Sequence, residues 1–247
     1  MNKRFSRTAL LVGDGGVQRL RAAHVAVLGL GGVGSYALEA LARAGVGHFT
    51  LVDSDIVSPS NINRQLLALE DTVGCPKVEV AAARIAAIHP EARVEPIQTV
   101  VGAANVERLL GGAVGFVVDA IDSLDSKTGV LAWLHGSRLR FVACMGAALR
   151  YDPTAVRVGD IRETQVCPLA RRVRQALKRL GISDGVRCVY SIERPAEPWS
   201  RGAPSESAED SAGIRAPLGV LSYVPGIIGL TAAGVVINDI LGRDLPG

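Results

Sequence analysis

Lysine and cysteine are scarce in this chain. Only Lys3, Lys77, Lys127 and Lys178 stand against twenty-three arginines, so a site that must keep a lysine has few candidates. The four cysteines, Cys75, Cys144, Cys167 and Cys188, are scattered and form no C-x-x-C pair. That spacing argues against a structural zinc site and a disulfide scaffold. Scattered thiols in an α/β chain point to the reducing cytoplasm. The net charge of +3 is too small to argue nucleic-acid binding by itself. No internal repeat is visible. Near the N-terminus, Lys3, Arg4 and Arg7 are basic, and the apolar piece that follows at 9–12 is too short for a signal peptide. One uncharged run, 217–238, is long enough to span a bilayer. Pro225-Gly226, Gly229 and Gly234 interrupt it, so a buried helix over 225–241 is expected, without stable membrane association.

What is present is a globular composition. Hydrophobic residues make up 48% of 247 residues, enough for one large or two small domains with a real core. The organising stretch is His24-Val25-Ala26-Val27-Leu28-Gly29-Leu30-Gly31-Gly32-Val33-Gly34. An apolar strand ends in glycines, and an alanine-rich helix over about 35–44 follows. Gly29, Gly31 and Gly34 form G-x-G-x-x-G. This pattern reads as a tight turn, a close approach of backbone to phosphate, and a helix N-terminus aimed at it. A second strand over 48–52 leads to Asp53, an acid placed to meet a ribose hydroxyl. These features leave NAD, FAD and ATP all open.

Further along, helices are expected over 76–88, 103–110 and 125–136, and strands over 93–97, 114–119 and 141–145. The β-α alternation predicts a Rossmann-like, doubly wound, mainly parallel sheet with helices on both faces. After Met145 the pattern changes. Strands at 155–160 and 187–192 are expected to extend the sheet antiparallel. Between them Leu169, Val173, Leu177 and Leu180 recur at helical spacing, with Arg171, Arg172, Arg174, Lys178 and Arg179 on the other face. Residues 194–216 are rich in Pro, Ser, Glu and Gly and read as a mobile loop.

The loop after Asp53 narrows the ligand. Asp53-x-Asp55 precedes Asn61-Ile62-Asn63-Arg64-Gln65. Arginine for phosphate oxygens, with Asn and Gln for further hydrogen bonds, suits a nucleoside triphosphate better than a dinucleotide. Lys77 sits where a helix begins and a cation can meet phosphates. The fourth strand ends in Asp119-Ala120-Ile121-Asp122, at the end of an open sheet where ligands sit. Asp122 is the candidate for Mg²⁺, which takes one or two carboxylates plus phosphate and water. Singly, each residue has a structural explanation: a surface ion pair for Arg64, a solvated helix position for Lys77, an N-cap for Asp122. Together, on these loops, they describe a site.

This set resembles the ubiquitin-activating-enzyme superfamily of adenylyltransferases. The matching pieces are Arg4-Phe5-Ser6-Arg7, Gly29-x-Gly31-Gly32-Val33-Gly34, Asp53-x-Asp55, Asn61-x-Asn63-Arg64-Gln65, Gly74-x-x-Lys77 and Asp119-x-x-Asp122, covering roughly 4–150. The resemblance implies that ATP adenylates a carboxylate and pyrophosphate leaves. It makes Asp53 the ribose ligand, Arg64 and Lys77 the phosphate-neutralising pair and Asp122 the Mg²⁺ ligand. Arg7 becomes an arginine finger supplied by the other subunit of a homodimer.

The second half resembles the tRNA threonylcarbamoyladenosine dehydratase family. The stretches are Gly159-Asp160-Ile161, Pro168-Leu169-Ala170-Arg171, Val186-x-Cys188-Val189-Tyr190-Ser191-x-Glu193-x-Pro195 and Val224-Pro225-Gly226. Cys167 stands before Pro168, where that family is expected to have Asp. The resemblance implies a tRNA substrate carrying threonylcarbamoyladenosine, whose threonyl carboxylate is activated by ATP and closed into a ring by a nitrogen of the same group. A tethered nucleophile replaces a catalytic cysteine by proximity, so Cys188 is expected to be a buried structural thiol. It also implies one domain over 1–247, with 1–150 binding ATP and 151–247 serving substrate and dimer. The alternative within the superfamily is an adenylyltransferase for a sulfur-carrier protein in molybdopterin or thiamine synthesis. An NAD-dependent oxidoreductase would leave Arg64, Lys77 and Asp122 unexplained. A monovalent cation and a sulfur-relay partner stay open.

Overall fold

The computed structural model describes residues 3–112, 114–197 and 218–243. The chain runs α1 (Ser6–Ala22), β1 (His24–Leu28), α2 (Gly34–Ala44), β2 (His48–Asp53), α3 (Lys77–Ile88), β3 (Arg93–Gln98), α4 (Val106–Leu110), β4 (Phe116–Asp119), α5 (Leu124–Gly136), β5 (Arg140–Cys144), β6 (Val156–Asp160), α6 (Pro168–Arg179), β7 (Arg187–Ser191) and α7 (Tyr223–Leu241). Short 3₁₀ turns fill several connections.

One seven-stranded sheet has the order β3-β2-β1-β4-β5-β7-β6. Neighbours are parallel from β3 through β7, and only β6 against β7 is antiparallel. The expected extension is therefore half parallel: β7 joins β5 in the direction of the first five strands, and only β6 reverses. The connection that carries α6 begins and ends at one end of the sheet, where Asp160 at the end of β6 faces Arg187 at the start of β7, as an antiparallel pair requires. Strand order switches between β1 and β4, which opens a crevice beyond their C-terminal ends.

Alternate side chains of each strand enter different cores, as period-2 geometry requires. Val25, Val27, Phe49, Leu51 and Val118 pack with α2, α3 and α7. Ala26, Leu28, Val52 and Val117 pack with α4, α5 and α6. Burial on both faces is why these strands read as continuous apolar runs. Phe5 starts the chain's packing: its ring meets His89 edge-on at 4.8 Å, and its side chain is buried. Burial holds the His89 imidazole below its ordinary pKa, against the hydrogen bond it makes to the Val46 carbonyl.

Helix α7 alone, among the described residues, is long and apolar enough to cross a membrane. Val224, Ile228, Ala232, Val235 and Val236 are buried in the core, at about 1.5–3 kcal/mol for each large aliphatic side chain. A Cβ on Gly229 would lie 2.2 Å from the Val33 carbonyl oxygen. The glycine that interrupts the apolar run thus lets α7 lie against the start of α2.

Helix α1 runs for 17 residues and bends at Gly13, where φ is +72°. One other expectation needs correction. Leu180 does not join the apolar stripe of α6: it follows the last helical residue and is exposed, whereas Val173 and Leu177 are buried. Of the loop expected at 194–216, residues 198–216 lie outside the described residues.

Candidate nucleotide-binding cleft

The crevice at the switch point holds a cleft of about 990 Å³. Its floor is the glycine turn. Gly29 has φ +87°, and its N–H donates to the Val52 carbonyl at 2.8 Å. A Cβ at Gly29 would meet the Ala120 carbonyl oxygen at 2.8 Å, and one at Gly34 would meet the Gly29 oxygen at 1.8 Å. Both glycines are required by packing within the chain. Gly31 is different. A Cβ there would find only Gln65 Nε2, at 3.8 Å, so protein packing does not explain it. Space above a turn at a helix N-terminus suits an anion.

Asp53, at the end of β2, braces that turn. Its Oδ2 accepts the Leu30 N–H at 2.6 Å and its Oδ1 accepts the Asp55 N–H at 2.8 Å. A carboxylate has lone pairs left after two such bonds, so a ribose hydroxyl remains within its capacity. Asp55 turns to Lys77, whose Nζ lies 2.7 Å from Asp55 Oδ2. The lysine side chain is buried and the aspartate is 62% exposed, so the pair delivers a fixed cation to the cleft wall.

The loop 58–65 is built by local bonds. Asn61 Oδ1 accepts the Ser58 N–H at 3.2 Å, closing a 3₁₀ turn. Arg64 Nη1 donates to the Ser60 carbonyl at 2.8 Å and to Asn63 Oδ1 at 2.9 Å. Asn63 Nδ2 reaches the Val220 carbonyl at 3.0 Å, joining the loop to the segment before α7. Gln65 is buried with its Oε1 unpartnered among the described residues.

The cleft brings together Gly29, Gly31, Gly32, Asp53, Asp55, Asn61, Arg64, Gln65, Lys77 and Asp122. Gly34, Asn63 and Arg7 are not in its lining. Gly34 and Asn63 support residues that are, while Arg7 is exposed on α1. Asp122 is exposed on the β4–α5 loop and has no hydrogen bond or ion pair among the described residues, so its carboxylate is available to a cation. Among those residues no three His, Cys, Asp or Glu side chains come together in a group fit for a metal ion. A metal here would need ligand phosphates to complete its shell.

Asp119 departs from the expectation. It is wholly buried rather than facing the crevice, and it pairs with Lys127 at 2.8 Å. Burial pushes its carboxyl above the usual carboxylate range, with the Lys127 ammonium pulling the other way. No motif in the sequence singles out Lys127. The available signal was a lysine among the apolar positions of α5, five residues after Asp122.

Arg174 departs as well. Its guanidinium donates to the Thr164 carbonyl at 2.8 Å and to Thr164 Oγ1 at 2.6 Å, so it ties α6 to the preceding turn. Arg172, nearer the helix start, lines the cleft with Leu169. Cys144 also lines it, but burial pushes the thiol up to about 12, and burial raises Cys188 likewise. Both are neutral thiols near pH 7 and poor nucleophiles.

Residues 5–246 match the ThiF family. The chain is 39% identical over 244 residues to the tRNA threonylcarbamoyladenosine dehydratase of Bacillus subtilis (strain 168), covering 98% of this chain and 96% of that protein. It is also similar to the molybdopterin-synthase adenylyltransferase of Salmonella typhimurium (strain LT2), at 34% identity over 75% of this chain and 72% of the relative. The crystal structure of Escherichia coli tRNA N6-threonylcarbamoyladenosine dehydratase in complex with ATP superposes with a TM-score of 0.87 at 35% identity, over 97% of this chain and 94% of that one. Sequence over nearly the whole length and fold agree, and the chain belongs to the ThiF family.

Proposed function

We propose that this protein is an ATP-dependent tRNA threonylcarbamoyladenosine dehydratase. The observation that carries the reading is the cleft: a glycine turn open above Gly31, two anchored cations at Lys77 and Arg64, and an unpartnered carboxylate at Asp122. Near full-length similarity to named dehydratases, one of them solved with ATP, supports ATP over NAD and tRNA over a carrier protein.

The chemistry follows from the substrate. A carboxylate is a poor electrophile. Its oxygen attacks the α-phosphorus of ATP, the bond to the β-phosphate oxygen breaks, and pyrophosphate leaves. A nitrogen of the same modification then attacks the activated carbonyl carbon. AMP leaves with the former carboxylate oxygen, the nitrogen gives up its proton, and a ring closes with net loss of one water. The nucleophile is already tethered, so the protein supplies position and charge. Lys77 and Arg64 neutralise phosphate charge, and Asp53 orients the ribose. Asp122 would hold Mg²⁺, which would supply further neutralisation of phosphate charge.

The enzyme works as a cytoplasmic homodimer in which Arg7 of one protomer serves the partner's cleft. The exposed cations of α6, Arg171, Arg172, Lys178 and Arg179, meet tRNA phosphates. The first half, 1–150, holds the nucleotide, and 151–247 serves substrate and dimer.

Purified protein, ATP, Mg²⁺ and tRNA carrying threonylcarbamoyladenosine should yield a nucleoside lighter by one water, with AMP and pyrophosphate in equal amounts. Nucleoside mass spectrometry reads the outcome. An unchanged nucleoside, together with adenylation of a small carrier protein, would refute the dehydratase reading.

A further inference from the structure

Lys127 is buried completely among the apolar residues of α5 and is not itself in the lining of the cleft. Its ammonium pairs with Asp119 Oδ2 at 2.8 Å and donates to the Ile121 carbonyl at 3.1 Å and the Asp119 carbonyl at 3.5 Å. Asp119 Oδ1 accepts the Ile121 N–H at 3.1 Å. One cation therefore gathers the side chain and the backbone of 119–121. The intervening Ala120 is fixed from the other side: its N–H donates to the Leu28 carbonyl at 2.8 Å, and its carbonyl abuts Gly29. Asp122 is the next residue after this run. The loop leaves the sheet between two clamps, the glycine turn and Lys127.

Stability alone does not account for such a pair. Desolvating two charges offsets most of their attraction, and an apolar pair of similar volume generally serves a core at least as well. We propose that Lys127 is a positioning residue for Asp122: with Asp119 it holds 119–121 in the path that presents the Asp122 carboxylate to the metal-bearing phosphates of ATP. The proposal rests on the reading of the cleft as an ATP site. It places Lys127 in the outer shell of a metal site, where loss of an orienting partner reduces metal affinity or activity by about 10–100-fold.

The test compares Lys127→Met, the double variant Lys127→Met/Asp119→Asn and Asp122→Ala with wild type. The double variant leaves no unpaired buried charge and stands in if the single one fails to fold. Calorimetry measures ATP binding in EDTA and in Mg²⁺, alongside the melting midpoint and, for the variants that keep Asp122, the Mg²⁺ concentration for half-maximal turnover. The double variant should melt near wild type and bind ATP in EDTA within about twofold of it, while the Mg²⁺-dependent gain in ATP affinity falls on the order of tenfold. Introduced into Asp122→Ala, the same two changes should cost nothing more, because they act only through that carboxylate. Unchanged Mg²⁺ dependence, equal losses with and without Mg²⁺, or losses that multiply with Asp122→Ala would each overturn the proposal. Wild type that binds no ATP would overturn the reading of the cleft itself.

Discussion

Lys77 and Arg64 bring positive charge to the cleft by different means. The Lys77 stem is buried, and its head is held by an exposed Asp55. Arg64 is steered by a loop carbonyl and Asn63. Neither needs to reorganise when phosphate charge develops, which is where fixed cations act most strongly. Interactions stronger in the transition state than in the ground state raise turnover rather than affinity. Lys77→Ala and Arg64→Ala should each lower kcat by about 10²–10³ while the KM for ATP changes far less. Steady-state kinetics at varied ATP checks this; equal losses in kcat and in ATP affinity would mean plain ground-state binding. Residues of this kind were legible in the sequence because they lie on short loops whose spacing is fixed by the fold. Asp119 faces the core instead, and nothing in a local motif tells a carboxylate facing the crevice from one facing the core.

At the scale of elements, helix α6 is half structural and half free. Its apolar stripe packs on the second core, and Arg174 belongs with that stripe through its bonds to Thr164. Arg171 and Lys178 stay exposed. The helix and its buried face follow from 3.6-residue spacing, but spacing cannot show that one arginine finds a carbonyl to bind. The parallel pairing of β7 was hidden for a similar reason: a short buried strand reads the same in either direction. If α6 meets tRNA phosphates, Arg171→Glu/Lys178→Glu should weaken tRNA binding. The slope of log affinity against log salt should become shallower by about 1 for each phosphate no longer neutralised. ATP binding should not change. Filter binding across a salt series measures the slope. Arg174→Glu belongs in a separate experiment, because it removes three hydrogen bonds from the fold and should lower the melting midpoint as well. Unaltered tRNA affinity in the Arg171/Lys178 variant would remove the helix from the substrate site and leave the chemistry standing.

For the molecule as a whole, the order of helices and strands through 144 could be read from apolar continuity and glycine breaks. What one chain's sequence could not give was the place of Arg7 relative to the cleft. The structure puts it on α1, outside the lining of its own cleft. The helix start is anchored: Phe5 is buried against His89, and Arg4 donates to the Ile88 carbonyl. Arg7 is thus presented from a fixed base two residues on, near exposed Leu10 and Leu11. An exposed apolar pair beside a charged residue fits contact with a second copy. If that copy's cleft receives Arg7, two dead variants can complement. Arg7→Ala and Asp122→Ala should each abolish turnover alone. In a heterodimer, the cleft that keeps Asp122 lies against the partner that keeps Arg7, and that site is whole. The opposite cleft lacks both. Random exchange of equal amounts makes half the dimers mixed, with one good site in each, so about a quarter of wild-type activity should return. Light scattering fixes the oligomeric state, and tagged subunits establish that exchange has occurred. Activity that stays at the level of the separate variants after proven exchange would place Arg7 outside the shared site.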